Sequence, residues 1–140
     1  MIVLDTNVIS EVARRAPEPT VVRWLDGQHA ADLYLTAVTV AELSYGVARL
    51  PAGARRDDVV ARVERVLDAL APRVLALDVA AAQAFGAVAA ARDRAGWPIG
   101  TADGQIAALC LMHGATLATR NGRDFVGTGV DVVDPWKARP

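Results

Sequence analysis

Short apolar runs recur along the chain, each ending at or beside a polar residue and each separated from the next by a stretch of helical periodicity. The runs are Ile2-Val3-Leu4, Leu33-Tyr34-Leu35-Thr36, Val74-Leu75-Ala76-Leu77, Thr116-Leu117-Ala118-Thr119 and Val130-Asp131-Val132-Val133. Runs this short and this apolar suit strands covered on both faces, the environment of a parallel sheet. Between the first two runs, Val8, Ile9, Val12 and Ala13 predict a short helix ending before Pro17. Val21, Val22, Trp24 and Leu25 predict another, from Pro19 to near Gly27. Residues 37–50 form an apolar helix stopped by Pro51 and Gly53, and residues 55–70 an amphipathic one with Val59, Val63, Val66, Leu67 and Leu70 on one face. Residues 79–95 predict an alanine-rich helix, and residues 101–113 a further one, capped by Thr101 and stopped by Gly114. Strands alternating with helices, without internal repeat or linker, predict an α/β fold around a parallel sheet, in one domain spanning residues 1–140.

At 140 residues the chain is long enough for one core and too short for two. A hydrophobic share of 53% against 22% charged residues excludes a disordered chain. No window holds the eighteen or so uninterrupted apolar residues of a membrane span, and Met1–Asp5 lacks the basic and long apolar segments of a secretory signal. The single cysteine, Cys110, lies in the apolar run Ile106–Met112 and reads as a buried hydrophobe in a reducing cytoplasm. The net charge of −1 gives no general attraction to nucleic acid, so a non-specific coat protein is disfavoured. Among the 15 basic residues only Lys137 is a lysine, and the arginines permit phosphate contacts without demanding them.

Four carboxylates stand out. Asp5 directly follows the first strand, at the strand end where open parallel sheets gather ligands; it equally suits the cap of the following helix. Glu42 interrupts the apolar helix Ala37-Val38-Thr39-Val40-Ala41-Glu42-Leu43. Thr39 and Glu42 have capping-box spacing, yet Thr36 is the better cap by position and leaves Glu42 a turn inside. Asp103 enters the helix that begins near Thr101, where a favourable dipole contact is the plainer reading. Asp124 follows Thr119-Arg120-Asn121-Gly122-Arg123, where ordinary turn chemistry would suffice. Together the four outline an acidic cluster at one edge of the sheet. Such a cluster repels itself unless protonated or bridged by cations, and hard oxygen ligands suit Mg²⁺ or Mn²⁺ rather than zinc. A cation so held can bind a phosphodiester and activate water for in-line hydrolysis.

Other acidic-pocket chemistries fit less well. A receiver domain needs a lysine near its phosphoryl site, but Lys137 lies beyond the last strand. A haloacid-dehalogenase-like phosphatase needs Asp at position 7, where Asn stands. Ser10 and Ser44 have no convincing partner in His29 or His113. A non-enzymatic reading remains: the acids would receive an arginine of a protein partner through a charge-assisted fork.

The blocks Val3–Glu11, Thr39–Leu43, Thr101–Ala108 and Thr119–Phe125 resemble, in order and spacing, the signature of PIN-domain proteins. More narrowly the chain resembles VapC-type toxins of bacterial toxin–antitoxin modules, including the FitB-like branch, from Met1 to about Trp136. The resemblance implies a three-layer α/β/α sandwich with a central parallel sheet of about four to five strands. It implies Mg²⁺- or Mn²⁺-dependent endoribonuclease activity, a homodimer or toxin–antitoxin hetero-oligomer, and a cognate antitoxin through which operator DNA is bound. By position, Asp5, Glu42, Asp103 and Asp124 would be the catalytic, metal-holding quartet. Thr6, Asn7, Thr119 and Asn121 match polar residues that orient it. Apart from the resemblance, Arg120 and Arg123 flank the last block and suit either RNA phosphates or an ordinary solvated loop. Asn121 stands where some relatives carry an acid, which bears on a second metal ion. The alternative is a toxin-like subunit without catalysis that binds an antitoxin and joins a DNA-binding autoregulatory complex.

Overall fold

A computed structural model of the chain describes residues 1–138. Five strands are present: β1 (Ile2–Leu4), β2 (Leu33–Thr36), β3 (Val74–Leu75), β4 (Thr116–Ala118) and β5 (Val132–Val133). They form one sheet in the order β3-β2-β1-β4-β5, with every neighbouring pair parallel. The helices are α1 (Thr6–Val12), α2 (Pro19–Asp26), α3 (Ala37–Ala48), α4 (Ala54–Leu70), α5 (Val79–Arg94) and α6 (Thr101–His113). Among the described residues no helix is long and apolar enough to cross a membrane.

The pleat sends alternate side chains to opposite faces, and both faces are apolar. Val3, Tyr34 and Leu117 join Ala81, Ile106, Leu109 and Cys110 in a core beneath α5 and α6. Leu4, Leu35 and Ala118 join Val8, Ile9, Val21, Val63 and Leu70 in a second core beneath α1, α2 and α4. Helix α3 bridges the two, giving Val38 to the first and Leu43 to the second. A sheet covered on both faces is the expected three-layer sandwich, and its strands carry the uninterrupted apolar runs for this reason.

Three strands are shorter than their runs predict, β4 by the single residue Thr119. Val74 and Leu75 pair with Leu35 and Thr36, where β2 ends, so Ala76 and Leu77 have no backbone to join; Leu77 still packs into the first core. β5 likewise spans only Val132–Val133, and Val130 packs against that core without pairing. A further correction concerns α6. Its N-cap is Gly100, in extended conformation, and Thr101 is already helical with no capping hydrogen bond from its side chain. Gly114 ends the helix as expected, at φ 58°, where a side chain would be strained.

The winding decides where a ligand can sit. From β1 the chain moves outward to β2 and β3, returns through α5 and α6, and lays down β4 on the other side of β1. The direction of winding therefore reverses between β1 and β4. The crevice outside their carboxyl ends is where such sheets bind ligands.

Candidate functional site

Asp5 leaves β1 at that crevice. It is buried, and its Oδ1 accepts from the Thr6 backbone N–H at 2.8 Å, so it caps α1. Its Oδ2 accepts from Asn7 Nδ2 at 2.7 Å and from Thr119 Oγ1 at 2.6 Å. The capping and site readings of Asp5 are thus one arrangement. Thr119, wholly buried just past β4, uses its hydroxyl fully: it donates to Asp5 and accepts from Asn7 Nδ2 at 3.0 Å and the Asn121 N–H at 3.0 Å. Asn7 Oδ1 accepts the Arg120 N–H at 3.2 Å, which closes the link between the two strand ends. Asn121 serves this network through its backbone.

Glu42 arrives from α3. Thr36 caps that helix by accepting the Thr39 N–H at 3.0 Å, so Thr39 and Glu42 form no capping box. Glu42 Oε1 instead accepts from Thr6 Oγ1 at 2.7 Å. Asp103 lies in the first turn of α6 and is half-buried. Asp5, Glu42 and Asp103 line one open cleft of about 430 Å³, together with Thr6, Asn7 and Arg120. Asp124 is exposed on a 3₁₀ turn (Gly122–Phe125) outside this lining, near enough for its charge to act on Asp103. Arg123, also exposed, shares that turn and does not line the cleft.

Burial and the charges of Asp5, Asp124 and Glu42 push the Asp103 carboxyl up to about 6 from an ordinary value of 3.8. Among the described residues none of the four acids is in a salt bridge, and no three ligating side chains form a tight preformed set. The donor chemistry fits a hard divalent cation. Every nearby ligand is oxygen; among the described residues Glu42 Oε2 and both Asp103 oxygens accept no protein hydrogen bond, and Asp5 Oδ1 retains a lone pair. Cys110 contributes nothing of this kind: it is buried, and burial together with the Asp5 charge pushes its thiol up to about 12.

Several residues around the cleft carry no role in the sequence reading. Glu11 is buried at its wall and accepts the Glu18 N–H at 2.8 Å, which fixes the turn into α2. Its spacing of three from buried Val8 marks it as inward-facing. Arg92 is buried near the end of α5 without a carboxylate partner among the described residues. Its guanidinium donates to the carbonyls of Trp97 at 2.6 Å, Asp124 at 3.0 Å and Val126 at 2.5 Å. It thereby ties the loop before α6 to the turn that carries Asp124. Carbonyl partners leave no trace in side-chain identity, so no pattern announces this role. Gly104, next to Asp103, lets α5 approach. A Cβ there would stand 2.7 Å from the Phe85 ring.

The sequence matches the PIN domain family model over residues 2–129. The chain belongs to the PIN-domain family. Among PIN-domain relatives, VapC ribonuclease Y4jK of Sinorhizobium fredii is 46% identical over 98% of this chain and 99% of its own length. Toxin FitB of Neisseria gonorrhoeae is 42% identical over 97% of this chain and 99% of its own. A solved structure of FitAB bound to an IR36 DNA fragment superposes with a TM-score of 0.91 at 40% identity, covering 100% of this chain and 99% of that one. The fold and the family resemblance expected from the sequence are both borne out.

Proposed function

We propose that this PIN-domain chain is a divalent-metal-dependent endoribonuclease, the toxin of a toxin–antitoxin module. The carrying observation is the convergence of Asp5, Glu42 and Asp103 on one cleft at the switch between β1 and β4, with no cation of the protein paired to any of them among the described residues. A relative named as a ribonuclease, similar over nearly its whole length, supports the same reading.

Asp5, Asp103 and Glu42 would hold Mg²⁺ or Mn²⁺, and Asp124 would complete the site or orient water. The bound ion would supply positive charge to a phosphodiester and lower the pKa of an attacking water. The protein's part is orientation. Asn7 and Thr119 fix Asp5, and Thr6 fixes Glu42, so the acids hold their directions before substrate arrives. Arg120 lies at the cleft to meet a neighbouring phosphate, while Arg123 reaches RNA only from outside it.

Solved relatives in which FitA and FitB are bound together on DNA support a cognate antitoxin here, with operator DNA held through that partner. A groove of about 770 Å³ between α1, α3 and α4 runs from Thr6 and Glu42 past Leu43 and Val47 to Arg55 and Arg62, and suits a peptide partner reaching the acids. A homodimer in the bacterial cytoplasm is part of the proposal. If the chain only docks its antitoxin, the acids would serve as seats for a partner arginine.

The deciding experiment is cleavage of total bacterial RNA by the purified, antitoxin-free protein with Mg²⁺, Mn²⁺ or chelator, beside Asp103→Asn. Discrete fragments that need both metal and Asp103 are expected. Cleavage that persists unchanged in Asp103→Asn refutes the metal-nuclease mechanism, and no cleavage in any arm favours the docking subunit.

A further inference from the structure

Arg120 stands in a cleft with four carboxylates, Asp5, Glu11, Glu42 and Asp103, yet among the described residues it pairs with none of them. Its guanidinium lies over the ring of Trp136 instead, 5.3 Å from the ring centroid. Trp136 belongs to a 3₁₀ turn, Pro135–Lys137, held firmly on the α2 side of the sheet. Pro135 is buried, and Asp134 caps the turn by accepting the Trp136 N–H at 3.0 Å. Lys137 pairs with Asp134 at 3.0 Å, and the indole packs against the second core. At the other end Arg120 is anchored through its backbone N–H on Asn7 Oδ1. A long side chain is thus fixed at its root by the acid-orienting network and near its tip by an aromatic shelf.

A cation–π contact holds a guanidinium on one side and leaves N–H donors on its other side for a further acceptor. Those donors match the paired oxygens of a phosphate. The ring also keeps the cation from collapsing onto the acids, where it would compete with a metal ion. We propose that Trp136 is a positioning residue that presents Arg120 to an RNA phosphate beside the one cleaved. The inference rests on the nuclease reading and adds a residue from the far end of the sequence to the substrate-binding side of the cleft.

The test measures binding with metal chelated, so that catalysis is not involved. The probe is a dye-labelled pool of random-sequence single-stranded RNA, followed by fluorescence anisotropy at several salt concentrations. Arg120→Ala and Trp136→Leu are each expected to weaken binding by about threefold to tenfold, with the slope of log affinity on log salt falling by about 0.7 for Arg120→Ala. The double variant should bind no worse than the weaker single, because both remove one contact. Trp136→Phe, which keeps a flat ring and folds more safely, should recover most of the affinity. Additive losses, or a Trp136→Phe variant as weak as Arg120→Ala, overturn the inference. Unaltered affinity in Trp136→Leu beside Asp103-dependent cleavage overturns it alone. Failure of the unsubstituted protein to bind the pool overturns it together with the nuclease reading.

Discussion

Asp103 is protonated more readily in the folded chain than in the unfolded one, because burial and three neighbouring acids disfavour its charge. Between an unfolded value near 3.8 and a folded value of about 6, the folded state therefore binds the extra proton. Stability from this group is present below that window and is lost as pH rises through it. The metal-free protein should become more resistant to urea as pH falls from 7 to 5, and Asp103→Asn should remove most of that dependence while stabilising the protein at pH 7. Thr119 works in the opposite sense. Thr119→Val strips a buried Asp5 oxygen of one donor, leaves the Asn7 amide with one of its two acceptors, and takes from the Asn121 N–H the hydroxyl it donates to. A loss of about 1–3 kcal/mol is expected in denaturant titration, with metal affinity by calorimetry about 10–100-fold weaker. At this scale the sequence is legible where chemistry is local. Asp5 shows its position after a strand, and Glu42 shows itself as a charge inside an apolar helix. The bond from Thr119 to Asp5 joins residues 114 positions apart, and no local pattern carries it.

Among the elements, the longer helices were readable because α3, α4, α5 and α6 each span three turns or more and end close to a glycine or proline. The boundaries that shifted belong to pieces whose extent is set by a neighbour. β3 stops when β2 runs out of backbone to pair with, whatever Ala76 and Leu77 would prefer. The packing of α5 on α6 was also hidden, since Gly104 looks in sequence like a flaw in a helix. Gly104→Ala should gain about 1 kcal/mol of helix propensity and lose about 1–3 kcal/mol to overpacking against Phe85. A net fall in Tm is expected, with weaker metal binding as Asp103 shifts; an unchanged metal affinity would show that the helix yields without moving its first turn. Arg92→Ala should cost about 2–4 kcal/mol, since it removes a buried charged donor from three carbonyls at once. The urea midpoint measures this directly, and hydrogen exchange should rise first in the Gly122–Phe125 turn.

For the whole molecule, the reversal of winding between β1 and β4 gathers acids from four separate stretches, and none of them meets without the sheet. Cation binding by the proposed centre would thus be linked to folding. At a hundredfold excess of Mn²⁺ over its dissociation constant the folded state should gain about 2.7 kcal/mol, read as a rise in Tm that chelator reverses. Asp103→Asn should lose most of the rise, and a melting curve indifferent to millimolar metal would contradict the proposed centre. The sheet order was not legible in the sequence, although its parallel character was. Alternating runs show that strands are covered on both faces, but not which strand returns to lie beside the first.

The same strand order has a consequence in time. A ribosome delivers Asp5 more than a hundred residues before β4 is complete, while Thr119 and Asp124 come later still. Until then β1 lacks one of its two neighbours, and Asp5 lacks the hydroxyl that holds it. Whatever chemistry the cleft performs is withheld from the growing chain until β4 and Thr119 have been made.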